Sequence, residues 1–178
     1  MGNPKLRLIG FDDIQLVRYW RNLDHVRSRM VHTDFVTYSG QQNWFKEMDH
    51  HKTRYFIYSL DSVDVGIATI SKINKSENSF EGGIQCGDVK YLGHWINIWA
   101  CVKIYNMGFD EMKLNKSFAT ILNDNHAAIR LNKSLGYHFL EEISENVSKY
   151  FLTKENYFND SKGIQKFLYS FDKTIKLQ

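Results

Sequence analysis

No apolar run in this 178-residue chain approaches the roughly 18 residues that a membrane-spanning helix requires, so no membrane partner is expected. Cysteine is scarce. The two present, Cys86 and Cys101, form neither a metal-ligand spacing nor a disulfide framework, which fits a reducing compartment. Excess charge is small as well: a formal net charge of +3 argues for no nucleic-acid partner, although it does not oppose an anionic ligand. Internal repeats, low-complexity stretches and linkers are lacking. Asn159 to Lys162 is the one candidate boundary, dividing a domain over 1–157 from a C-terminal helical appendage over 158–178. Met1 to Lys5 leads into no signal-peptide-like apolar stretch, so cytoplasm is the expected compartment. His50-His51 is adjacent rather than helically spaced, and no metal is expected. What the chain has is a hydrophobic fraction of 43% against 24% charged, the balance of a soluble globular domain with a real core.

The pattern of apolar residues sets the elements. Lys5 to Ile9 alternates as an opening strand. Asp12 or Asp13 can cap a helix whose face is Leu16, Val17, Trp20 and Leu23, continued by Val26 and Met30. Ser39 and Gln42 have capping-box spacing ahead of Trp44, Phe45 and Met48. Arg54–Leu60, Val65–Ile73 and Ser79–Gly87 read as three strands separated by polar turns, the third weakened by Gly82 and Gly83. A helix follows with Ile96, Trp99, Ala100, Ile104 and Met107 as one stripe, and Gly108 stands where a left-handed cap belongs. Lys116–Leu122 is a strand. Asn123-Asp124-Asn125 caps a helix with Ala128, Leu131 and Leu135 on its apolar face, ended by Gly136. Tyr137–Glu142 and Lys149–Leu152 are two more strands, and Ile164, Phe167, Leu168 and Phe171 predict a helical tail. The order β-α-α-β-β-β-α-β-α-β-β implies an α/β (α+β) fold, a mixed sheet of about seven strands with helices on both faces.

Two segments carry candidate chemistry. Ser79 to Met107 is a strand, a short loop with Lys90 and Gly93, and a helix N-terminus whose unpaired N–H groups and dipole suit a pyrophosphate. An ordinary β–α connection would look the same. The second is the Asn123 to Tyr137 cap, helix and glycine stop.

Together these segments resemble the GNAT acetyltransferase superfamily. Asn125, Ala128-Ile129, Leu131 and Gly136-Tyr137 match the family's pattern after its fifth strand, and the resemblance spans roughly residues 5 to 157. It implies an enzyme that moves an acetyl group from acetyl-CoA, used as co-substrate, to a primary amine. Cofactor contacts are then implied at Ile84, Gln85 and Cys86 on the third strand of the meander and at Lys90, Gly93, His94 and Trp95 in the loop. Asn123, Asn125 and Ala128 complete them, with Asn125 beside the pantetheine arm. Backbone N–H groups near Gln85 and Cys86 would polarise the thioester carbonyl.

The chain departs from the family pattern twice. The loop usually reads Gln/Arg-x-x-Gly-x-Gly/Ala, and here it is Lys90-Tyr91-Leu92-Gly93-His94-Trp95, so Trp95 would crowd the phosphates. Many members carry a tyrosine as general acid where Asn132 stands, and an amide cannot serve that way. Glu81 and Asn132 are the catalytic candidates, with Glu81 as base or water anchor.

The N-terminal half is similar to two branches, the ribosomal-protein N-terminal acetyltransferases and the amino-sugar enzymes of the pseudaminic acid type. The residues that carry this are Trp20-Arg21-Asn22, Met30, Trp44-Phe45, Arg54 to Ile57 and Val65 to Asn74, the last two stretches favouring the amino-sugar branch. Arg21, Met30 and Trp44 are the expected acceptor contacts. Arg18, Arg21, Arg27 and Arg29 form a basic face suited to a nucleotide diphosphate. A nucleotide-linked amino sugar is the expected acceptor. A protein N-terminus is the alternative, as is a GNAT-shaped scaffold without turnover. A small-molecule partner and a homodimer are compatible with this reading.

Overall fold

A computed structural model describes residues 2–175. Among these residues seven strands form a single sheet in the order β1-β2-β3-β4-β5-β7-β6. The strands are β1 (Pro4–Leu8), β2 (Arg54–Leu60), β3 (Val63–Asn74), β4 (Ser79–Cys86), β5 (Lys116–Leu122), β6 (His138–Ser144) and β7 (Val147–Thr153). The helices are α1 (Ile14–Asn22), α2 (Asp24–Arg27), α3 (Tyr38–Lys46), α4 (Trp95–Asn106), α5 (His126–Ser134), α6 (Lys154–Asp160) and α7 (Lys162–Tyr169). The β4–α4–β5 crossover makes the one parallel pair of the sheet, and every other neighbour is antiparallel. The mixed sheet read from the order of elements is the one observed.

Both faces of the meander are buried, by different partners. Ile57 and Ile67 face α1 and pack with Val17 and Trp20. Tyr58, Ile70 and Phe80 face α4 and join Trp99, Ile104 and Phe109 in the main core. This two-sided burial is why β2 reads as an apolar run rather than an alternation. The β2–β3 hairpin turns on Asp61 and Ser62, both left-handed (φ 51° and 67°), the geometry of a tight two-residue loop. β3 therefore begins two residues earlier than its apolar pattern suggests.

Several local expectations are corrected. The first helix does not run on to Met30, because Leu23 is extended (ψ 137°) and α2 is a separate turn. The cap of α3 is Thr37, whose hydroxyl accepts from the Gly40 N–H at 3.1 Å, and not Ser39. Asp13 does not cap α1 either. Its carboxylate takes Arg7 at 2.7 Å and the Gly10 N–H at 2.8 Å. Gly108 is no left-handed cap: α4 continues into a π-type turn over Met107–Glu111, and the left-handed residue is Lys113 (φ 59°). Glycine is required at 108 by packing, since a Cβ there would lie 2.4 Å from the Phe80 ring.

The tail is part of the same core. Tyr157 on α6 donates to the Asn106 amide oxygen at 2.8 Å, and Leu168 of α7 and Ile175 are buried in the main cluster. Asp172 accepts from the Trp99 indole at 2.8 Å. With the sheet on one side and the tail on the other, α4 also buries Cys101, Val102 and Tyr105, beyond the single stripe expected of it. Residues 176–178 of the expected appendage lie outside the described residues.

Candidate active site

β4 and β5 are paired only over Ser79–Glu81 and Lys116–Phe118. Beyond that point both strands continue, β4 to Cys86 and β5 to Leu122, without meeting each other. On their outer sides they stay paired, β4 to β3 and β5 to β7. The result is a V-shaped gap in the middle of the sheet. Beyond Glu81 the backbone of β4 has no strand partner on this side, and buried N–H and C=O groups require partners of another kind. A cleft of about 1090 Å³ passes through this gap.

Gly82 sits at the apex, where a Cβ would lie 2.7 Å from the Tyr105 ring. Tyr105 fills that space from α4 and donates to the Gly82 carbonyl at 3.4 Å. Behind it, the Tyr137 hydroxyl donates to Tyr105 at 3.1 Å and lies 2.7 Å from the Ser117 hydroxyl. Burial holds Tyr105 well above the ordinary phenol range, and it also raises Tyr137, so both remain neutral. Cys86 is no nucleophile. Its thiol donates to the Asp88 carbonyl at 3.2 Å, and burial pushes its pKa up. Cys101 is pushed up by burial to about 12.

The far wall is α5. Asn125 caps it by accepting from the Ala128 N–H at 3.2 Å, and both residues line the cleft. Asn132 also lines it, but its amide N–H donates to the Ala128 carbonyl at 2.8 Å. Asn123, expected among the cofactor contacts, is outside the lining. Its amide N–H donates to the Glu145 carbonyl at 3.1 Å, and its oxygen accepts from Ser148 at 2.7 Å, which ties the β6–β7 hairpin to the end of β5.

The loop into α4 is tightly built. Asp88 accepts from the Lys90 N–H at 3.0 Å, and buried Asn97 donates to the Tyr91 carbonyl at 2.6 Å. Gly93 is left-handed (φ +74°) with open space beyond it, as a backbone that receives a ligand would be. His94 caps α4 by accepting from the Ile96 N–H at 3.3 Å. Trp95 does not crowd the loop, because its ring stacks on Phe171 at 4.6 Å. Leu92 reaches the cleft, whereas Lys90, Gly93, His94 and Trp95 stand outside its lining.

The other end of the cleft lies between α1, α3 and the α1-side face of the sheet. Arg21, Met30 and Trp44 all line it, as do Tyr55, Ile67 and Thr69. Trp44 meets Tyr55 edge-on at 4.8 Å. Asn22 bridges the Val36 N–H at 2.8 Å and the Val36 carbonyl at 2.9 Å, which holds the 28–37 segment over this end. One Arg21 Nη donates to the His32 carbonyl, while the other is buried without a partner. Desolvation, followed by the neighbouring Arg27, lowers the Arg21 pKa. The Gln85 amide nitrogen is a second buried donor without a partner in this cleft. Glu81 lines the cleft too, with its carboxylate 2.8 Å from Lys72. The basic face read from sequence divides: Arg21 and Arg29 line the cleft, Arg27 pairs with Asp24, and Arg18 donates to Gln15. His25 also lines the cleft, and nothing in the sequence marked it.

The strand, loop and helix of the resemblance are present as β4, the Gly93 loop and α4. The sequence profile of the Acetyltransferase (GNAT) domain matches residues 5–138, and the chain belongs to that family. Its activity is that of an acyl-CoA-dependent N-acetyltransferase. Among solved structures it is similar to a domain from Methanocaldococcus jannaschii DSM 2661, at 21% identity and TM-score 0.77, over 86% of this chain and 99% of that one. It is similar to spermidine N-acetyltransferase from Vibrio cholerae in complex with CoA and spermine, at 16% identity and TM-score 0.79, over 88% and 98% of the two chains. It is also similar to Campylobacter jejuni N-acetyltransferase PseH, at 18% identity and TM-score 0.64, over 85% and 98%. These likenesses are of fold. No curated protein sequence matches the chain. Among the described residues no helix is long and apolar enough to cross a membrane, and no cluster of three metal-binding side chains occurs.

Proposed function

We propose that the chain acetylates the primary amine of an acceptor that also carries an anionic group, a nucleotide-linked amino sugar. The observation that carries this is the charge of the acceptor end. Arg21 and Arg29 face it, Arg29 with Asp124 at 3.5 Å, against Glu81 as the one carboxylate among the lining residues, and Lys72 pairs with Glu81. A polycationic acceptor would need unpaired carboxylates there. The two orphan donors, on Arg21 and Gln85, call for oxygen atoms on the ligand. A diphosphate suits the planar donor fork of Arg21. Trp44, Tyr55 and Ile67 offer an apolar wall for a sugar ring, and Tyr55 and Ile67 lie in the stretches that resemble the amino-sugar branch.

Acetyl-CoA is the acyl donor of this reading, and the V-shaped gap is where its pantetheine arm fits. Asn125 would pair with an amide of that arm. Backbone N–H groups of β4 around Gln85 and Cys86 would polarise the thioester carbonyl. Gly93 and the first turn of α4 would receive the pyrophosphate, with Lys90 as a nearby cation. The test is a panel of UDP-, GDP- and dTDP-linked 4-amino sugars beside spermidine and short peptides, each with acetyl-CoA and a free-thiol readout. Turnover of a sugar nucleotide is expected, with Arg21→Ala lowering kcat/KM by about 10-fold or more, the loss of a charged hydrogen bond. Turnover of spermidine or peptides alone would overturn the proposal.

A further inference from the structure

We propose that His25 is the general base that takes the proton from the acceptor's ammonium group, a role that rests on the acetyl-transfer reading. The acceptor must lose that proton before it can attack, and the lining of the cleft offers few groups to take it. Glu81 is engaged by Lys72 at 2.8 Å. Tyr55, Tyr105, Cys86 and Cys101 are all held neutral by burial, which makes them poor proton acceptors. Asn125, Asn132 and Gln85 are amides. His25 is the remaining side chain in the lining with a basic lone pair.

Its orientation is set by β4. The His25 Nε2 lies 3.2 Å from the Cys86 carbonyl oxygen. A carbonyl oxygen accepts and never donates, so Nε2 carries the hydrogen. In the neutral ring the lone pair then belongs to Nδ1. α2, a single helical turn after the extended Leu23, brings the ring across to the strand that forms one wall of the gap. The charged and titratable groups around this end include Arg21 from α1, Arg29 after α2 with its partner Asp124 at 3.5 Å, and Cys86 from β4 with Asp88 just beyond it. On α2 itself Asp24 and Arg27 pair with each other at 2.9 Å.

In the step itself, Nδ1 takes one ammonium proton, directly or through a water. The freed nitrogen pair forms the C–N bond at the thioester carbonyl. The nitrogen of the adduct then gives its second proton to water, the C–S bond breaks with its electron pair leaving on sulfur, and the thiolate takes a proton from solvent. The imidazolium then returns its proton to solvent.

His25→Gln is the informative variant, because its amide reaches the Cys86 carbonyl as a donor but provides no base. With a dTDP-linked 4-amino sugar as acceptor, kcat is expected to fall by about 100-fold or more, with the KM for acetyl-CoA unchanged. The loss should shrink as rising pH supplies free amine, and added imidazole should restore part of the rate to His25→Ala. A His25→Gln enzyme that keeps more than half of wild-type kcat across the pH range overturns the proposal. A second measurement needs no turnover: long-range nitrogen–proton NMR of the histidine rings. Protonated Nε2 and bare Nδ1 are expected in the neutral ring of His25, and the opposite tautomer overturns the proposal. If the wild-type enzyme acetylates none of the sugar nucleotides, the acceptor reading falls, while the NMR result still decides on His25.

Discussion

Asn125 combines two tasks in one amide. Its oxygen caps α5, and the same side chain lines the gap between β4 and β5. Asn125→Ala separates them: cap loss lowers stability by about 1 kcal/mol, and loss of a pantetheine contact raises the KM for acetyl-CoA. Both effects are expected, measured by thermal unfolding and steady-state kinetics. An unchanged KM would reduce the residue to a cap. Gly82 is the other residue whose type is dictated by the site. Gly82→Ala would place a Cβ 2.7 Å from the Tyr105 ring, and overpacking of this kind costs about 1–3 kcal/mol. Because Tyr105 is pinned through Tyr137 and Ser117, the strain should fall on the apex of the gap. A lower melting temperature and weaker acetyl-CoA binding by calorimetry are expected together.

At the scale of elements, the cleft exists because two strands stop pairing and because three connections are held rigid. One is the β1–α1 corner, where Arg7 reaches both Asp13, at 2.7 Å, and Asp64, at 3.0 Å. The Arg7 guanidinium, opposed by partial burial and aided by the Gly10 N–H, holds the Asp13 carboxyl below its ordinary value of 3.8. A carboxyl depressed by folding contributes stability above its unfolded pKa and loses that contribution as pH falls through the folded value. Asp13→Asn is therefore expected to lower the melting temperature at pH 7, with the gap to wild type closing below about pH 4. A gap that stays constant down to pH 2.5 would show that the pair contributes nothing through its charge. The corner is largely exposed, so the effect should be small. The other two connections are the 28–37 segment, held by Asn22, and the loop into α4, held by Asn97 and Asp88.

Across the whole molecule, the sheet divides two jobs between its faces. The α1 side forms one end of the cleft over a small cluster, and the α4 side carries the main core with the C-terminal helices laid across it. The tail is thus tied to the site through α4: Trp95 stacks on Phe171, Trp99 donates to Asp172, and Tyr105 lies 5.7 Å from Tyr157. Leu168→Ala removes a fully buried side chain and should cost about 2–5 kcal/mol. Deleting residues 162–178 is expected to be worse, exposing Trp99 and the outer face of α4. A truncated chain with wild-type melting temperature would show the tail to be an independent appendage.

The sequence determined most elements by itself, because their signals are local. β2 and β5 were legible to the residue from β-branched and aromatic runs, and α5 from Asn125 at one end and Gly136 at the other (φ +96°). α6 was not, since Lys154–Asp160 is mostly polar and only Tyr157 and Phe158 are buried. Arg21, Met30, Trp44, Gln85 and Asn125 were placed on the cleft by resemblance. That Arg21 and Gln85 line one cleft with unpartnered donors depends on α1 packing on β2 and β3 beside β4, a contact between residues far apart in the chain. The same holds for His25. No motif, cap or periodicity distinguishes a histidine in a four-residue helix, and its hydrogen bond to Cys86 spans 61 positions. Local patterning fixes backbone dihedrals and which face turns inward. It does not say which two faces meet, because that is set by how the sheet splays and which helix crosses it. Which buried donors and which imidazole share the cleft was therefore decided by tertiary structure.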